Sequence, residues 1–142
     1  MPLDGSSKTE AMFRIPHDHS ALGELSVSLD GKTFATIVEW GETVKIALFD
    51  LGSTRPLRMI DASHYLCGVQ FTPDRKSIAY AVRENGLDNV WVQPLDGSAG
   101  HRITDFKSEQ IWSFRLSPDG KSLGILRGHF DSDVVLLQEF KP

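Results

Sequence analysis

A five-residue motif occurs three times in the chain at nearly equal spacing. Residues 28–32 read SLDGK, residues 72–76 read TPDRK and residues 117–121 read SPDGK, so successive copies start 44 and 45 residues apart. In such a motif Pro presets its own φ, Asp bonds to nearby backbone, and Gly accepts the positive φ needed to enter the next strand. Each copy therefore predicts a tight turn between two strands. Arg75 stands where the other copies have Gly, and we expect it to be forced to positive φ.

The residues around each turn repeat as strands. Apolar residues recur two apart before each turn, which is the period of a strand. One column holds Leu25, Val69 and Phe114, the next holds Val27, Phe71 and Leu116, and the small residues after the turn are Ala35, Ala79 and Gly124. A third strand follows in each unit and a fourth in the first two units, and the small residues indicate that neighbouring sheets approach closely. A unit of 44 or 45 residues with four short strands is typical of a β-propeller blade.

We therefore predict an all-β protein, a partial β-propeller of three four-stranded antiparallel blades. The blades are assigned to residues 17–62, 63–107 and 108–142, with the last lacking its fourth strand. Residues 1–16 align with the end of a blade and are predicted to contain an orphan outer strand at 10–15.

The middle unit resembles the blade of TolB-like propellers, a WD40-like repeat known as PD40. The resemblance is carried by the corner at 73–76, the Asp-Asn-Val-Trp start of the third strand at 88–91, the Leu-Asp-Gly turn at 95–97 and the fourth strand at 102–104. In the first unit, Thr43 and Val44 stand where the Asp-Asn pair is expected. The resemblance implies a non-catalytic platform for protein or peptide partners and favours a periplasmic or other extracytoplasmic location. Related blades form the gating domain of prolyl-oligopeptidase-type serine hydrolases, which is the alternative function.

Three blades are fewer than the roughly four to eight of a closed propeller. An arc would expose the apolar faces of its terminal blades and the edge strand predicted at 133–140, which soluble monomers avoid. We expect either a second copy that completes a six-bladed ring, with residues 10–15 of one chain pairing with 133–140 of the other, or further blades in a longer parent chain. Both can hold together.

The candidate binding residues lie on predicted loops of one face, at 16–23, 39–43, 61–66, 83–88, 105–111 and 127–133. Their aromatic and basic character is that of interface anchors, and they are Trp40, Tyr65, Arg83, Lys107, Trp112, Arg127 and His129. The alternative is that the aromatic residues fill gaps between blades. His17 and His19 are weak metal candidates, because two ligands fall short of the usual three or four; the alternative is a pair of solvated loop histidines.

Charge and composition exclude several classes of function. The net charge is −4 and the basic residues are scattered, so we expect no nucleic-acid binding. No apolar run is long enough to span a bilayer, which argues against membrane insertion. The N-terminus lacks the pattern of a signal peptide, so we expect any export signal to lie elsewhere.

Cys67, the one cysteine, is assigned to the core. No motif of a hydrolase, metalloprotease or nucleotide-binding enzyme is present, and we expect neither catalysis nor a cofactor.

Overall fold

The structure, a computed structural model, describes residues 20–53, 55–62 and 66–131. These residues form three antiparallel sheets in which each strand pairs with the next along the chain. The predicted all-β class and propeller-blade architecture are confirmed. The predicted strands at 10–15 and 133–140 lie outside the described residues, as do His17, His19 and Tyr65. No helix among the described residues has the length and apolar character needed to cross a membrane.

The first blade contains four strands of five to eight residues, and the middle blade ends in a much shorter fourth strand. The first blade consists of β1 (Ser20–Val27), β2 (Thr33–Trp40), β3 (Thr43–Asp50) and β4 (Arg58–Ala62). The middle blade consists of β5 (Leu66–Phe71), β6 (Ser77–Glu84), β7 (Leu87–Pro94) and β8 (His101–Arg102). Within the described residues, the third blade consists of β9 (Gln110–Leu116) and β10 (Leu123–Gly128).

The three repeated pentapeptides form the same turn, which we call the corner. In the first corner the Asp30 Oδ1 atom accepts hydrogen bonds from Ser28 Oγ at 2.6 Å and from the Lys32 N–H at 3.1 Å. The second and third corners repeat both bonds with Asp74 and Asp119 as acceptors. The hydroxyl hydrogen bond, followed by the backbone one, lowers the pKa of each of these carboxyl groups below its ordinary value of 3.8.

Arg75 has the positive φ that its place in the second corner predicts. Its φ is 61°, against 70° for Gly31 and 69° for Gly120 in the other two corners. The turn geometry is thus kept at all three places although one of them carries a side chain. A non-glycine residue in this region is conformationally unfavourable by about 1 kcal/mol or more.

Adjacent blades pack face to face through apolar side chains. Between the first two blades the core includes Ala35, Ile46 and Leu48 on one side and Phe71 and Ile78 on the other. Between the middle and third blades, the core is formed by a second cluster of Ala79, Ala81, Val90, Ile111 and Phe114. Ala35 and Ala79 are fully buried, as expected of small residues where two sheets meet closely.

The inner strands β1, β5 and β9 are linked by side chains at one repeated position. Ser26 Oγ accepts a hydrogen bond from the Phe71 N–H at 3.1 Å, and Gln70 Oε1 accepts one from the Leu116 N–H at 2.9 Å. Ser26 and Gln70 are 44 residues apart, as the first two corners are. The side chain of each inner strand therefore satisfies a backbone donor of the next, which fixes the stagger between blades.

The outer face of the first blade is exposed only in part, whereas the sequence predicts exposed faces at the ends of the arc. On the outer face of the first blade, Phe34 and Phe49 stack with ring centroids 5.3 Å apart, and both are buried. On the same face of β1, Leu25 and Val27 are exposed. The side chains of the second and third strands on this face are therefore buried, contrary to the expectation, whereas those of its innermost strand are exposed as expected.

Candidate binding face

The candidate residues lie mostly on strands rather than on the long loops expected of the upper face, which is the face opposite the corners. Trp40 is the last residue of β2, and the hairpin that follows has only Gly41 and Glu42 between paired residues. Arg83 pairs with Asp88 inside the hairpin of β6 and β7, which turns at Asn85 and Gly86. The predicted loops at 39–43 and 83–88 are thus two-residue turns. Side chains on such strand ends are held more rigidly than loop side chains are.

Trp40 is half-buried and packs in the first blade. It packs against a cluster formed by Phe34, Val38, Ala47 and Phe49, as Met59 does. Its carbonyl oxygen accepts a hydrogen bond from Thr43 Oγ1 at 3.0 Å, which closes the turn. Trp40 thus packs within the first blade, and its role in recognition stays a prediction.

Arg83 connects the middle blade to the third blade through Asp88. The Arg83 Nε and Nη2 atoms donate to the two Asp88 carboxylate oxygens at 2.7 and 3.0 Å. Asp88 Oδ2 also accepts from the Ile111 N–H at 2.8 Å, and Ile111 begins the packed part of β9. The bidentate geometry and the backbone donor make Asp88 a fixed joint between blades.

The electrostatics of Asp88 follow from these contacts. Burial alone would raise its pKa, but the hydrogen bonds from Arg83 and the Ile111 N–H, with the charges of Arg83 and Arg127, outweigh it. The pKa of Asp88 therefore lies below its ordinary value of 3.8, and the group is an anion at neutral pH.

Arg127 lies across the segment that joins the middle and third blades. Its guanidinium carbon lies 3.7 Å from the centroid of the Phe106 ring, and an Nη atom donates to the Ser108 carbonyl oxygen. Glu109, which has a φ of 64°, lies 3.7 Å from Arg127 Nη1. The Arg127 Nε atom is buried and has no hydrogen-bond partner in the described part of the chain. The arginine thus fixes residues 106–109 against β10 while its planar face stacks on an aromatic ring.

Trp112, Lys107 and His129 are the candidates that remain accessible to a partner. Trp112 is 43% exposed and lies 5.3 Å from Phe130, which is 79% exposed. Lys107 Nζ donates to Asp105 at 2.7 Å, and His129 Nε2 lies 3.3 Å from Asp131. The Trp112 ring packs against Gly128, where an added Cβ atom would lie only 2.6 Å from the ring. An exposed aromatic pair remains at this end of the face.

A network around Asn89 was not predicted from the sequence. Asn89 Oδ1 accepts from the Phe106 N–H at 2.7 Å and from Thr104 Oγ1 at 3.0 Å, while Thr104 Oγ1 accepts from the Val90 N–H at 2.9 Å. The Asp-Asn pair at 88–89 was the available signal, since it carried the family resemblance. The pair holds the segment after β8 and the start of β9, and this role could be seen only in the structure.

Strand pairing corrects the correspondence proposed for the first blade by one residue. Glu39 pairs with Val44 as Arg83 pairs with Asp88, so Val44 and Lys45, rather than Thr43 and Val44, occupy the positions of Asp88 and Asn89. The first blade therefore has no acceptor at the position of the Asp88 joint.

The chemistry available on this face is that of contact rather than coordination. Among the described residues, no group of three or more His, Cys, Asp or Glu side chains is placed to hold a metal ion. Exposed aromatic rings offer apolar area on this face, and Lys107 and His129 add hydrogen-bond donors to it.

Solved structures that are similar to this chain include TolB proteins. TolB from Acinetobacter baumannii matches with a TM-score of 0.60 and 21% sequence identity, over 74% of this chain and 26% of that protein. A TolB-type protein from Agrobacterium tumefaciens matches with a TM-score of 0.60 and 26% identity, over 77% of this chain and 38% of that protein. No protein-family model and no curated protein matches the sequence. The chain thus has the TolB-like β-propeller fold and spans between about a quarter and two-fifths of the length of these structures.

Proposed function

We propose that this chain is a propeller segment that acts as a non-catalytic binding platform for a protein or peptide, and that a second copy closes its ring. The observation that carries the proposal is the exposure of apolar side chains at positions that pack against a neighbouring blade elsewhere in the same chain. Fold similarity alone does not select a function, so the argument rests on these positions.

The middle blade serves as an internal reference for the first. Val69 and Phe71 on β5 are 3% and 8% exposed, because they pack against the first blade. Leu25 and Val27, the residues in the same columns of β1, are 56% and 55% exposed. Burying them would contribute roughly 1.5 kcal/mol or more per side chain. The innermost strand of the first blade therefore presents apolar side chains that could meet a preceding blade.

The third blade presents the opposite kind of face. Leu123 and Ile125 on β10 pack toward the middle blade, so the alternation of a strand turns Gly124 and Leu126 away from it. Leu126 is 57% exposed, whereas Ala81, in the corresponding place of the middle blade, is buried against its successor. Two copies related by a two-fold axis would bring the third blade of each against the first blade of the other and give six blades.

The upper face supports the platform itself. Trp112 and Phe130 supply exposed aromatic area, and Lys107, whose Nζ atom pairs with Asp105, supplies a cation on the same predicted loop face. Such a combination suits a peptide segment with an apolar side chain and a carboxylate. By analogy with the family, we place this activity outside the cytoplasm.

Ring closure is tested by the mass of the native protein. We expect light scattering to give twice the chain mass of 15.8 kDa. The double variant Leu25→Ser, Val27→Ser should be a monomer with an unchanged circular dichroism spectrum, because both side chains already face solvent in the single chain. Leu29→Ser is the matched control, since Leu29 is 72% exposed on the corner and should leave the dimer intact. A well-folded wild-type monomer, or a double variant that stays dimeric, would contradict closure by this face.

The platform is tested with peptides selected from a random display library against the wild-type protein. Peptides that bind the upper face should bind Trp112→Ala at least about tenfold more weakly and should bind Leu29→Ala unchanged. If selection yields no binder sensitive to Trp112, the upper face is not the recognition surface.

A further inference from the structure

A cavity on the corner face lies between the first two blades, far from the aromatic residues of the upper face. Its volume is about 370 Å³, which falls within the size range of small-molecule sites. Leu48, Leu57, Phe71 and Leu95 give it apolar walls, and Arg58 and Arg75 stand among them. Leu57 is 64% exposed at its rim. Asp30, Ser28 and Thr33 complete the lining, so the cavity combines an apolar surface with two guanidinium groups and one carboxylate.

Arg75 is the anomalous residue of this cavity. It adopts a φ of 61° in a turn that the other two corners make with glycine, so the turn itself has no need of an arginine. Its guanidinium has a single ion pair among the described residues, with Asp30 Oδ2 at 3.8 Å, which is longer than a hydrogen bond. Both side chains are about half exposed, and such a pair contributes little to stability. Donors of Arg75 therefore remain available to a ligand.

Arg58 forms another wall of the cavity. Its Nη1 atom donates to the Leu95 carbonyl oxygen, and this bond ties β4 of the first blade to the turn after β7. The pKa of Asp96, in the same turn, is lowered first by hydrogen bonds from Ser98 and least by the charge of Arg58, which lies near that turn. Arg58 contributes a positioned positive charge while its hydrogen bond keeps the cavity wall in shape.

The equivalent place between the middle and third blades has neither arginine. The pairing of Val92 with His101 matches that of Leu48 with Arg58, so His101 takes the position of Arg58. Gly120 takes the position of Arg75. The middle and third blades pack against each other without a guanidinium at these positions. The fold therefore does not require the two arginines.

We propose that this cavity binds an organic carboxylate that carries an apolar group. The carboxylate would accept hydrogen bonds from Arg75 in place of its long contact with Asp30, and the apolar group would lie against Leu48, Leu57 and Phe71. Arginine suits this task because its planar donors match the two oxygens of a carboxylate. The ligand is a small aliphatic acid or the C-terminus of a peptide with an apolar last residue, and both present the same chemistry. The proposal does not depend on ring closure or on the upper face.

Titration calorimetry or NMR of the full chain tests the proposal with octanoate, with its neutral amide octanamide, and with N-acetyl-leucyl-phenylalanine. Octanoate or the dipeptide should bind, and octanamide should bind roughly tenfold more weakly or not at all. Binding of octanoate alone would identify a small acid as the ligand class, and preference for the dipeptide would identify a peptide C-terminus. Failure of both acids to bind, or equal binding of octanamide, would overturn the proposal.

Arg75→Gly is the decisive variant because it restores the residue of the other two corners. It should weaken binding of the acid roughly tenfold or more while the melting temperature stays the same or rises. Lys76→Ala is the matched control: it removes a neighbouring positive charge outside the cavity lining and should leave the affinity unchanged. If Arg75→Gly lowers the melting temperature and leaves the affinity unchanged, Arg75 is a structural link to Asp30 and the site does not exist.

Discussion

The first and middle blades hold their fourth strands by different bonds at the same positions. In the first blade β4 pairs with β3 over five residues, from Arg58 opposite Leu48 to Ala62 opposite Val44. In the middle blade β8 pairs over two residues, and the chain is then held by the Ile103 N–H, which donates to the Val90 carbonyl oxygen. Beyond that point, side chains of Asn89 and Thr104 continue the connection.

Lys45 and Asn89 occupy the same position in the two blades, and their contacts explain the difference between the fourth strands. Lys45 and Asp61 form an ion pair at the surface of the first blade, with Asp61 90% exposed. Asn89, at the position of Lys45, is 5% exposed and bonds to Thr104 and Phe106. An exposed ion pair adds little to a ladder that is already complete. The buried Asn89 amide takes the place of the missing backbone hydrogen bonds. Removal of this amide leaves buried donors without acceptors.

The largest expected effect comes from removing this amide. Asn89→Ala should lower the free energy of unfolding by about 2–4 kcal/mol, because the Phe106 N–H and the Thr104 hydroxyl lose their acceptor. Lys45→Ala, at the matching position, should lower it by less than about 1 kcal/mol. Urea unfolding measures both. Equal losses in the two variants would show that the blades do not differ in the way described.

Asp88 extends the comparison to the contact between blades. Asp88→Ala should lower the free energy of unfolding by about 2–3 kcal/mol, because Arg83 and the Ile111 N–H lose a shared partner. Hydrogen exchange of the Ile111 amide should accelerate more than that of amides in the first blade. The first blade has Val44 at this position, and Val44→Ala should produce no such local change in its neighbour.

The acid limb of the stability curve gives a separate test of Asp88. Its folded pKa lies below the ordinary value of 3.8, so the carboxylate stabilises the fold fully at pH values above 3.8. That contribution is lost as the pH falls through the folded pKa. Asp88→Asn should therefore lower stability at neutral pH and narrow its difference from the wild type as the pH falls from about 5. A difference that stays constant down to acid unfolding would show that the Asp88 pKa is not lowered.

The repeated features of the fold could be predicted from the sequence because they are local. A corner is specified by the order of five residues, so all three corners and the positive φ of Arg75 were correctly predicted. The alternation of Val69 and Phe71 on β5 likewise follows from the period of a strand. Each of these needs only residues that are close in the chain.

The features that escaped prediction depend on partners far along the chain. The short β8 reflects the choice of Asn89 and Thr104 side chains over backbone pairing, and these residues are 15 apart. The stacking of Arg127 on Phe106 joins two blades. Trp40 resembles an exposed anchor in sequence, and its packing against the cluster that contains Val38 and Ala47 required the register of β2 and β3. Tyr65, His17 and His19 lie outside the described residues, and their roles stay predictions.

The smallest expected effect compares the corners themselves. Gly31→Arg would give the first corner the residue of the second, and it should lower the free energy of unfolding by about 1 kcal/mol because Gly31 has a φ of 70°. A Cβ atom there would meet no other atom within 4 Å, so the cost is conformational rather than steric. Lys32→Arg, one residue on, is the control and should be neutral. If Gly31→Arg is equally neutral, then an arginine at positive φ carries no penalty in this turn, and the conformation of Arg75 ceases to support a ligand site.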